Sequence, residues 1–135
     1  MTEERLPHHH GNEEECGHLR GQLERAGDFK AVADVFKQLS DTSRVRIFWL
    51  LCHFEECVIN ISALVDMTSP AVSHHLRQLK ASGLITSRRE GKEVYYRAAD
   101  TEQSRLLHLA IEKTMEIACP RADMVSANGS AGKEE

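Results

Sequence analysis

The chain has 135 residues and a formal net charge of −4 at pH 7, and 41% of its residues are apolar. This length and composition fit one globular domain with tails. No apolar run is long enough to cross a bilayer, and no apolar segment follows the N-terminus, so we expect a cytoplasmic protein without a membrane partner. An acidic total does not suggest a nucleic-acid partner, but the positions of the basic residues matter more than their sum.

Both ends of the chain are polar and lack hydrophobic periodicity. Residues 1–17 contain three consecutive histidines, three consecutive glutamates and Cys16. We expect them to form a flexible arm that only a partner or an ion would order. Residues 120–135 are small and polar and predict a disordered tail. The folded domain is therefore expected over residues 18–119.

The first part of this domain has helical spacing. Apolar residues within 29–39 follow the three-and-four pattern of an amphipathic helix. Asp41 or Thr42 then offers an N-cap for a second helix, which is expected to end near Cys52. A short third helix is predicted around residues 61–65.

The next helix has the strongest boundary signals in the chain. Ser69 and Pro70 predict an N-cap followed by proline at the first helical position, and Gly83 is placed to end the helix. Its apolar positions, at spacings of four and three, are Val72, Leu76 and Leu79.

The periodicity then changes from helical to alternating. Residues 84–89 and 93–97 are rich in β-branched and aromatic side chains, and residues 90–92 lie between them as a turn, which predicts a β-hairpin. A final helix is predicted over residues 101–118. The fold class is therefore mainly α with a small β-hairpin, in the order helices, helix-turn-helix, hairpin, helix.

A helix can enter the major groove of DNA when one side packs on the protein and the other carries polar and basic groups. The outward positions of the capped helix are Ser69, Ser73, His74, Arg77 and Gln78. The hairpin carries three basic residues suited to flanking phosphates, Arg88, Arg89 and Lys92. The alternative is a solvated polar helix beside an ordinary charged hairpin, but the order of cap, glycine stop and basic hairpin favours DNA binding.

Three stretches, residues 35–47, 69–85 and 88–97, resemble the ArsR/SmtB family of bacterial repressors. The resemblance extends over roughly residues 29–118. It implies a winged helix-turn-helix that forms a homodimer through its first and last helices and binds double-stranded operator DNA. It also implies repression that is relieved when an inducer, often a metal ion, binds. No arrangement of residues indicates an enzyme.

Thiolates and imidazoles are the side chains that bind soft metals such as zinc, cadmium and lead. The residues alone offer Cys16 and His18 in the arm, and Cys52, His53 and Cys57 around the third helix. Cys52 lies on the apolar face and is expected to pack as a small hydrophobe, while His53 is expected at a helix end. No C-x-x-C pair strengthens any of these candidates.

The family resemblance favours one set of metal ligands. Residues 56–61 are similar to the family's segment E-L-C-V-x-D-L, whose cysteine binds metal in several members, and Cys57 stands at that position. In those members an N-terminal arm supplies further thiol or imidazole ligands, and Cys16 and His18 are placed to do this. The resemblance thus implies Cys57 with Cys16, completed by His18 or by one of His8–His10. Two departures are Ile59, where some members have a second cysteine, and Asn60, where aspartate is usual.

The resemblance also implies a second site on the last helix, but two of its ligands are missing. Asp100 and Glu116 match the family pattern, whereas Glu102 and Lys113 replace its histidines. Ion pairs are therefore the favoured interpretation of these residues. A separate stripe at helical spacing, which chance also produces, consists of His108, Glu112 and Glu116.

The cysteines leave one alternative to metal sensing. Two of Cys16, Cys57 and Cys119 could form a disulfide, which would make the chain a thiol-redox-responsive repressor of the same fold. We predict a metal-responsive repressor, with zinc, cadmium or lead as the inducer.

Overall fold

The computed structural model describes residues 6–119. In chain order its elements are α1 (Glu13–Leu23), α2 (Ala26–Gln38), α3 (Thr42–His53), β1 (Glu56–Cys57), α4 (Val58–Val65), α5 (Ser69–Ala81), β2 (Ile85–Glu90), β3 (Glu93–Ala98) and α6 (Glu102–Ala118). The chain divides into two compact units, and the boundary between them along the chain lies between Lys37 and Gln38. Within residues 6–119, no helix is both long and apolar enough to span a membrane. The predicted tail, residues 120–135, lies outside the described residues.

The first unit contains α1 and nearly all of α2, and neither helix buries a residue. Three glutamates occupy the first turn of α1, where negative charge stabilises the helix dipole. This helix begins inside the predicted arm, and the division into arm, domain and tail stays a prediction. The apolar side chains of α2 remain exposed, with Phe29, Val32 and Phe36 each more than half accessible.

The second unit begins with a helix-turn-helix. Asp41 caps α3, because its carboxylate accepts a hydrogen bond from the Arg44 backbone N–H at 2.9 Å. The predicted N-cap of α5 is wrong by one residue. Thr68, not Ser69, is the cap, and its Oγ1 accepts from the Ala71 N–H at 3.3 Å. The hydroxyl one residue earlier is the one that reaches a free N–H of the first turn.

The predicted inward face of α5 is confirmed. Val72, Leu76 and Leu79 are at most 1% exposed, and α5 packs on both α3 and α4. Full burial of such a side chain stabilises a fold by about 1.5–3 kcal/mol. The fully buried partners on α3 and α4 are Ile47, Phe48 and Ile61.

A three-stranded antiparallel sheet follows, in the order β1-β3-β2. The predicted hairpin is confirmed, although Glu90 belongs to β2, so the turn contains only Gly91 and Lys92. Gly91 has φ of +65°, which favours glycine at this position. Strand β1, which the sequence analysis did not predict, pairs Cys57 with Tyr95 on β3.

Helix α6 is fixed to the start of the hairpin. Thr101 caps it, and the buried Ser104 hydroxyl donates to the Leu84 carbonyl oxygen at 3.0 Å. Leu107 is buried on the inner side. The opposite side is apolar and exposed, and its large side chains are Leu106, Leu109 and Ile117.

Replacing Leu76 with alanine should lower the free energy of unfolding by about 2–5 kcal/mol, because it leaves a cavity beneath α5. Ile59 is 67% exposed, so Ile59→Ala should change it by less than about 0.5 kcal/mol. Urea unfolding at one fixed protein concentration measures both values. Equal effects of the two variants would contradict the described core.

Candidate nucleic-acid interface and metal-ligating residues

The outward side chains of α5 differ in how free they are to bind DNA. His74 and Arg77 are exposed, and Ser73 is half-buried. Ser69 is exposed but lies 3.2 Å from the Ser62 hydroxyl. Gln78 is held within the protein, because its Oε1 accepts a hydrogen bond from Arg44 Nη1 at 2.9 Å. The structure therefore presents His74 and Arg77 as the most accessible groups of this set.

Arg44 connects three parts of the second unit. Its Nε donates to the Gln38 carbonyl oxygen at 2.6 Å, its backbone N–H binds the Asp41 cap, and Nη1 binds Gln78. The Arg44 N–H also holds the pKa of the Asp41 carboxyl below its usual value. One guanidinium thus aligns the start of α3 with the exposed side of α5.

The basic residues of the hairpin also divide into two kinds. Arg88 forms a two-pronged ion pair with Glu55, with N–O distances of 2.8 and 3.0 Å, and its guanidinium lies 4.9 Å from the Tyr95 ring centre. This contact lowers the pKa of Glu55 and raises that of Arg88. Arg89 and Lys92 are exposed beside the turn. The structure thus leaves Arg89 and Lys92 exposed beside the turn and holds Arg88 in an ion pair with Glu55.

The hairpin and α5 are linked directly. Lys80 Nζ, in the last turn of α5, donates to the Ser87 hydroxyl on β2 at 2.6 Å. This bond places the basic strand next to the exposed face of the helix. All eight predicted DNA-binding side chains therefore belong to one helix and one hairpin that are in contact, and their roles stay predictions.

Cys57 occupies a junction between the sheet and the helices. It is 8% exposed, pairs with Tyr95 on β3, and stands at the N-cap position of α4. Its backbone N–H donates to Glu56 Oε1 at 3.2 Å, and the Asn60 amide donates to the same oxygen at 2.8 Å. Asn60 therefore serves as a donor to Glu56, a role that the family's usual aspartate could not fill when ionised.

The other two predicted ligands, Cys16 and His18, lie on α1 in the first unit, whereas Cys57 lies in the second. Cys16 is half-buried and His18 is exposed. Residues two positions apart on a helix do not face each other. One ion can therefore bind both side chains only if this part of α1 departs from regular helix.

All four cysteines are free thiols. Burial raises the pKa of the Cys52 thiol to about 11, with a further contribution from the negative charge of Glu112. Cys52 is therefore protonated at neutral pH, which weakens it as a nucleophile and as a metal ligand. Cys119 is exposed just after α6.

The structure brings together three potential metal ligands that the sequence analysis did not combine. His53 Nε2, at the end of α3, lies 3.2 Å from His108 Nε2 and 3.5 Å from Glu112 Oε2 on α6. His108 Nε2 is 3.3 Å from the same carboxylate oxygen. In the sequence, the helical spacing of His108 and Glu112 indicated that these two side chains share one side of the last helix. His53 becomes their neighbour only through the packing of α3 on α6.

Trp49 completes this group from the side of α3. Its indole N–H donates to Glu112 Oε2 at 2.8 Å, and its ring lies 4.3 Å from the His53 ring. The indole hydrogen bond is the main reason why the pKa of Glu112 lies below its usual value, and His108 contributes after it. Glu112 is therefore held ionised and fixed in orientation.

A capped helix packed on two others, with polar and basic groups outward and a basic two-stranded hairpin beside it, defines a winged helix-turn-helix DNA-binding regulator. A family model described as "Bacterial regulatory protein, arsR family" matches residues 41–87. The chain belongs to the ArsR family. Membership confirms the resemblance and the predicted fold class, and it identifies a transcriptional regulator rather than an enzyme.

Individual relatives agree with this assignment. A CadC homolog from Staphylococcus aureus, a cadmium resistance transcriptional regulatory protein, is 40% identical over 88 residues, or 64% of this chain and 73% of that protein. A transcriptional repressor SmtB homolog from Synechocystis is 39% identical over 75 residues, 56% of this chain and 57% of that one. The homodimeric winged helix-turn-helix DNA-binding domain of a possible ArsR-family regulator from Mycobacterium bovis has a TM-score of 0.61 and 33% identity, covering 68% of this chain and 84% of that domain.

Arg77→Ala should weaken binding to a duplex that the protein selects from a random-sequence pool, by about 1–3 kcal/mol, because an exposed charged donor on α5 is lost. Arg105→Ala removes the same charge from α6, where Arg105 is paired with Asp100, and should have little effect. Fluorescence anisotropy at one fixed salt concentration measures both affinities. Equal losses would contradict a role of Arg77 in binding DNA.

Proposed function

We propose that this chain is a dimeric repressor that binds operator DNA through α5 and the β2–β3 hairpin and releases it when a soft metal ion binds at Cys57. Cys16 and His18 are the proposed further ligands. Zinc, cadmium and lead are the proposed inducers, since a site that combines thiolate and imidazole suits them.

The position of Cys57 carries this proposal. Its backbone pairs with Tyr95 in the hairpin, and the helix it begins, α4, packs directly on α5. A force applied to this residue therefore reaches both DNA-contacting elements through short, direct connections. A metal ion would draw the Cys57 sulfur towards its other ligands. This movement would change the position of the β2–β3 hairpin relative to α5.

The names of the relatives support a metal as the inducer. Two are cadmium resistance regulators named CadC, from Listeria innocua and Lactococcus lactis, each 35% identical to this chain over 91 residues. Another is an arsenic resistance regulator from Pseudomonas putida. The donor chemistry of Cys57 and Cys16 fits this group of soft ions better than it fits hard, oxygen-preferring ions.

Release by metal requires reciprocal coupling. If the ion lowers the affinity for DNA by some factor, DNA must lower the affinity for the ion by the same factor. The metal-free dimer is the form that binds a roughly palindromic operator, with its two α5 helices about one helical turn of DNA apart. The metal-bound dimer holds the two α5 helices in a different relative position, which fits the operator less well.

Exposed apolar surface on α2 and α6 supports the homodimer. Phe36 is 59% exposed, Leu106 62% and Ile117 79%, and contiguous exposed apolar surface marks sites of protein–protein contact. The Mycobacterium bovis domain of the same fold is itself homodimeric. We therefore assign these two helix faces to the dimer interface.

Cadmium added to the reduced protein should produce a thiolate-to-metal charge-transfer band and weaken DNA binding by a factor of roughly 5–150. Cys57→Ser should abolish both effects while the metal-free protein still binds DNA. Absorbance and anisotropy titrations on the same samples measure the two effects together.

The matched control is Cys119→Ser, which should keep the band and the release. A band that survives in Cys57→Ser would contradict the proposed ligand. If cadmium has no effect on DNA binding but mild oxidation weakens it, the redox alternative, using two of Cys16, Cys57 and Cys119, replaces the metal one.

Leu106→Asp should convert the dimer to monomers in sedimentation equilibrium, because it places a charge on the apolar side of α6. Ile59→Asp makes the same change at an exposed apolar position outside α2 and α6, and should leave the dimer intact. Loss of the dimer in both variants would indicate a general effect of acidic substitution rather than an interface on α6.

A further inference from the structure

The geometry points to a second metal site, within one protomer and separate from Cys57, in which His53, His108 and Glu112 bind a zinc ion between α3 and α6. Their three donor atoms are the only such group of histidine, cysteine or acidic side chains found in residues 6–119. No cysteine belongs to it, and its position does not depend on the first unit or on a partner chain. It is therefore independent of the proposed function.

The three donor atoms have the spacing that zinc requires. In a tetrahedral site with bonds of about 2.0–2.1 Å, neighbouring ligand atoms are about 3.3 Å apart. The three distances in the structure are 3.2, 3.3 and 3.5 Å. His53 Nε2, His108 Nε2 and Glu112 Oε2 therefore form one triangular face of such a tetrahedron, and the side chains need little rearrangement.

Without an ion, the three contacts depend on a shared proton. Two neutral imidazole nitrogens 3.2 Å apart can share one proton between them, but then only one of the two can also donate to the carboxylate. Protonation of both rings would place two positive charges in contact. A divalent cation accepts the lone pairs of both nitrogens and of the carboxylate together, so all three contacts are favourable at once when the ion is bound.

A supporting residue fixes the carboxylate ligand. The Trp49 indole N–H binds Glu112 Oε2 at 2.8 Å, and a carboxylate oxygen has a second lone pair left for the ion. Hydrogen bonds of this kind orient the ligands in zinc sites. The same ring packs on His53, so Trp49 positions two of the three ligands.

The fourth coordination position is open to solvent. His53 and His108 line an open cleft of about 430 Å³ whose other walls include Asp100 and Arg105. Water is the fourth ligand, and an exchangeable ion rather than a permanently enclosed one is expected.

An ion at this site would join α6 to α3 directly, through ligands from both helices. Helix α3 carries the packing surface for α5, and α6 carries the exposed apolar face assigned to the dimer. Zinc is therefore expected to stabilise the position of α6 on the DNA-binding part of the protomer.

The test uses full-length Cys16→Ser/Cys57→Ser protein, in which the thiolate ligands of the proposed function are absent. Zinc affinity is measured by competition with a chromophoric chelator, and imidazole nitrogens are followed by 15N NMR during the zinc titration. We expect one zinc ion per chain, with the Nε2 resonances of His53 and His108 shifting together. Cobalt in place of zinc should give a tetrahedral visible spectrum without a sulfur charge-transfer band.

Graded substitutions test the ligand set. Trp49→Phe keeps an aromatic ring beside His53 but loses the indole N–H that donates to Glu112, and it should weaken zinc binding roughly tenfold. His108→Gln and Glu112→Gln should weaken it further. Glu116→Gln removes a carboxylate one turn along α6 that is paired with Lys113, and should change nothing.

Zinc affinity that His108→Gln does not alter, or zinc shifts confined to His8–His10 and His18, would overturn the proposal. A loss in Glu116→Gln equal to that in Glu112→Gln would also overturn it, since the ligands would then be a stripe on α6. Circular dichroism would show whether a substitution unfolds the metal-free protein. In that case the 15N shifts of His53 and His108 in the Cys16→Ser/Cys57→Ser protein decide whether zinc binds at this site. Neither outcome depends on whether cadmium binds Cys57.

Discussion

Burial of three aliphatic side chains along one side of α5 determines which of its side chains face outward. Val72, Leu76 and Leu79 contact α3 and α4, and this fixes which side of α5 faces outward. The Arg44 hydrogen bonds and the Lys80–Ser87 link then set the helix relative to α3 and to the hairpin. The polar side chains of α5 are positioned by its apolar ones.

The two-residue strand β1 connects the helix-turn-helix to the hairpin. It attaches the connection between α3 and α4 to the outer side of the hairpin, through the pairing of Cys57 with Tyr95. Without it, the hairpin would still be held at its base, by Leu84 and α6, and by the Lys80–Ser87 bond to α5. The strand makes the helix-turn-helix and the hairpin one mechanical unit.

Much of this fold could be predicted from the sequence, because strong local signals mark its elements. The spacing of Val72, Leu76 and Leu79 and the change to alternation after Gly83 are such signals, and both are confirmed. The polar helix α1 has no apolar periodicity, and β1 is too short to show any, so neither was predicted.

The candidate sites were less accessible to sequence reasoning than the fold. The outward face of α5 follows from its inward face, but the hydrogen bond that occupies Gln78 comes from Arg44, 34 positions earlier. His53 and His108 are 55 positions apart, and no periodicity connects them. Contacts of this kind arise from how helices pack, and that packing depends on the whole core rather than on a local pattern.

The ion pair between Arg88 and Glu55 has a consequence for the energetics of DNA binding. Most basic residues at a DNA surface gain affinity by displacing small cations that are condensed on the duplex, and this gain falls as salt rises. Arg88 already has two anionic partners in the same chain, Glu55 and Glu90, so a phosphate must compete with their carboxylates for it. That is an exchange of one anion for another. The hairpin thus carries one arginine whose charge is already compensated, and the salt sensitivity of this wing should come mainly from Arg89 and Lys92.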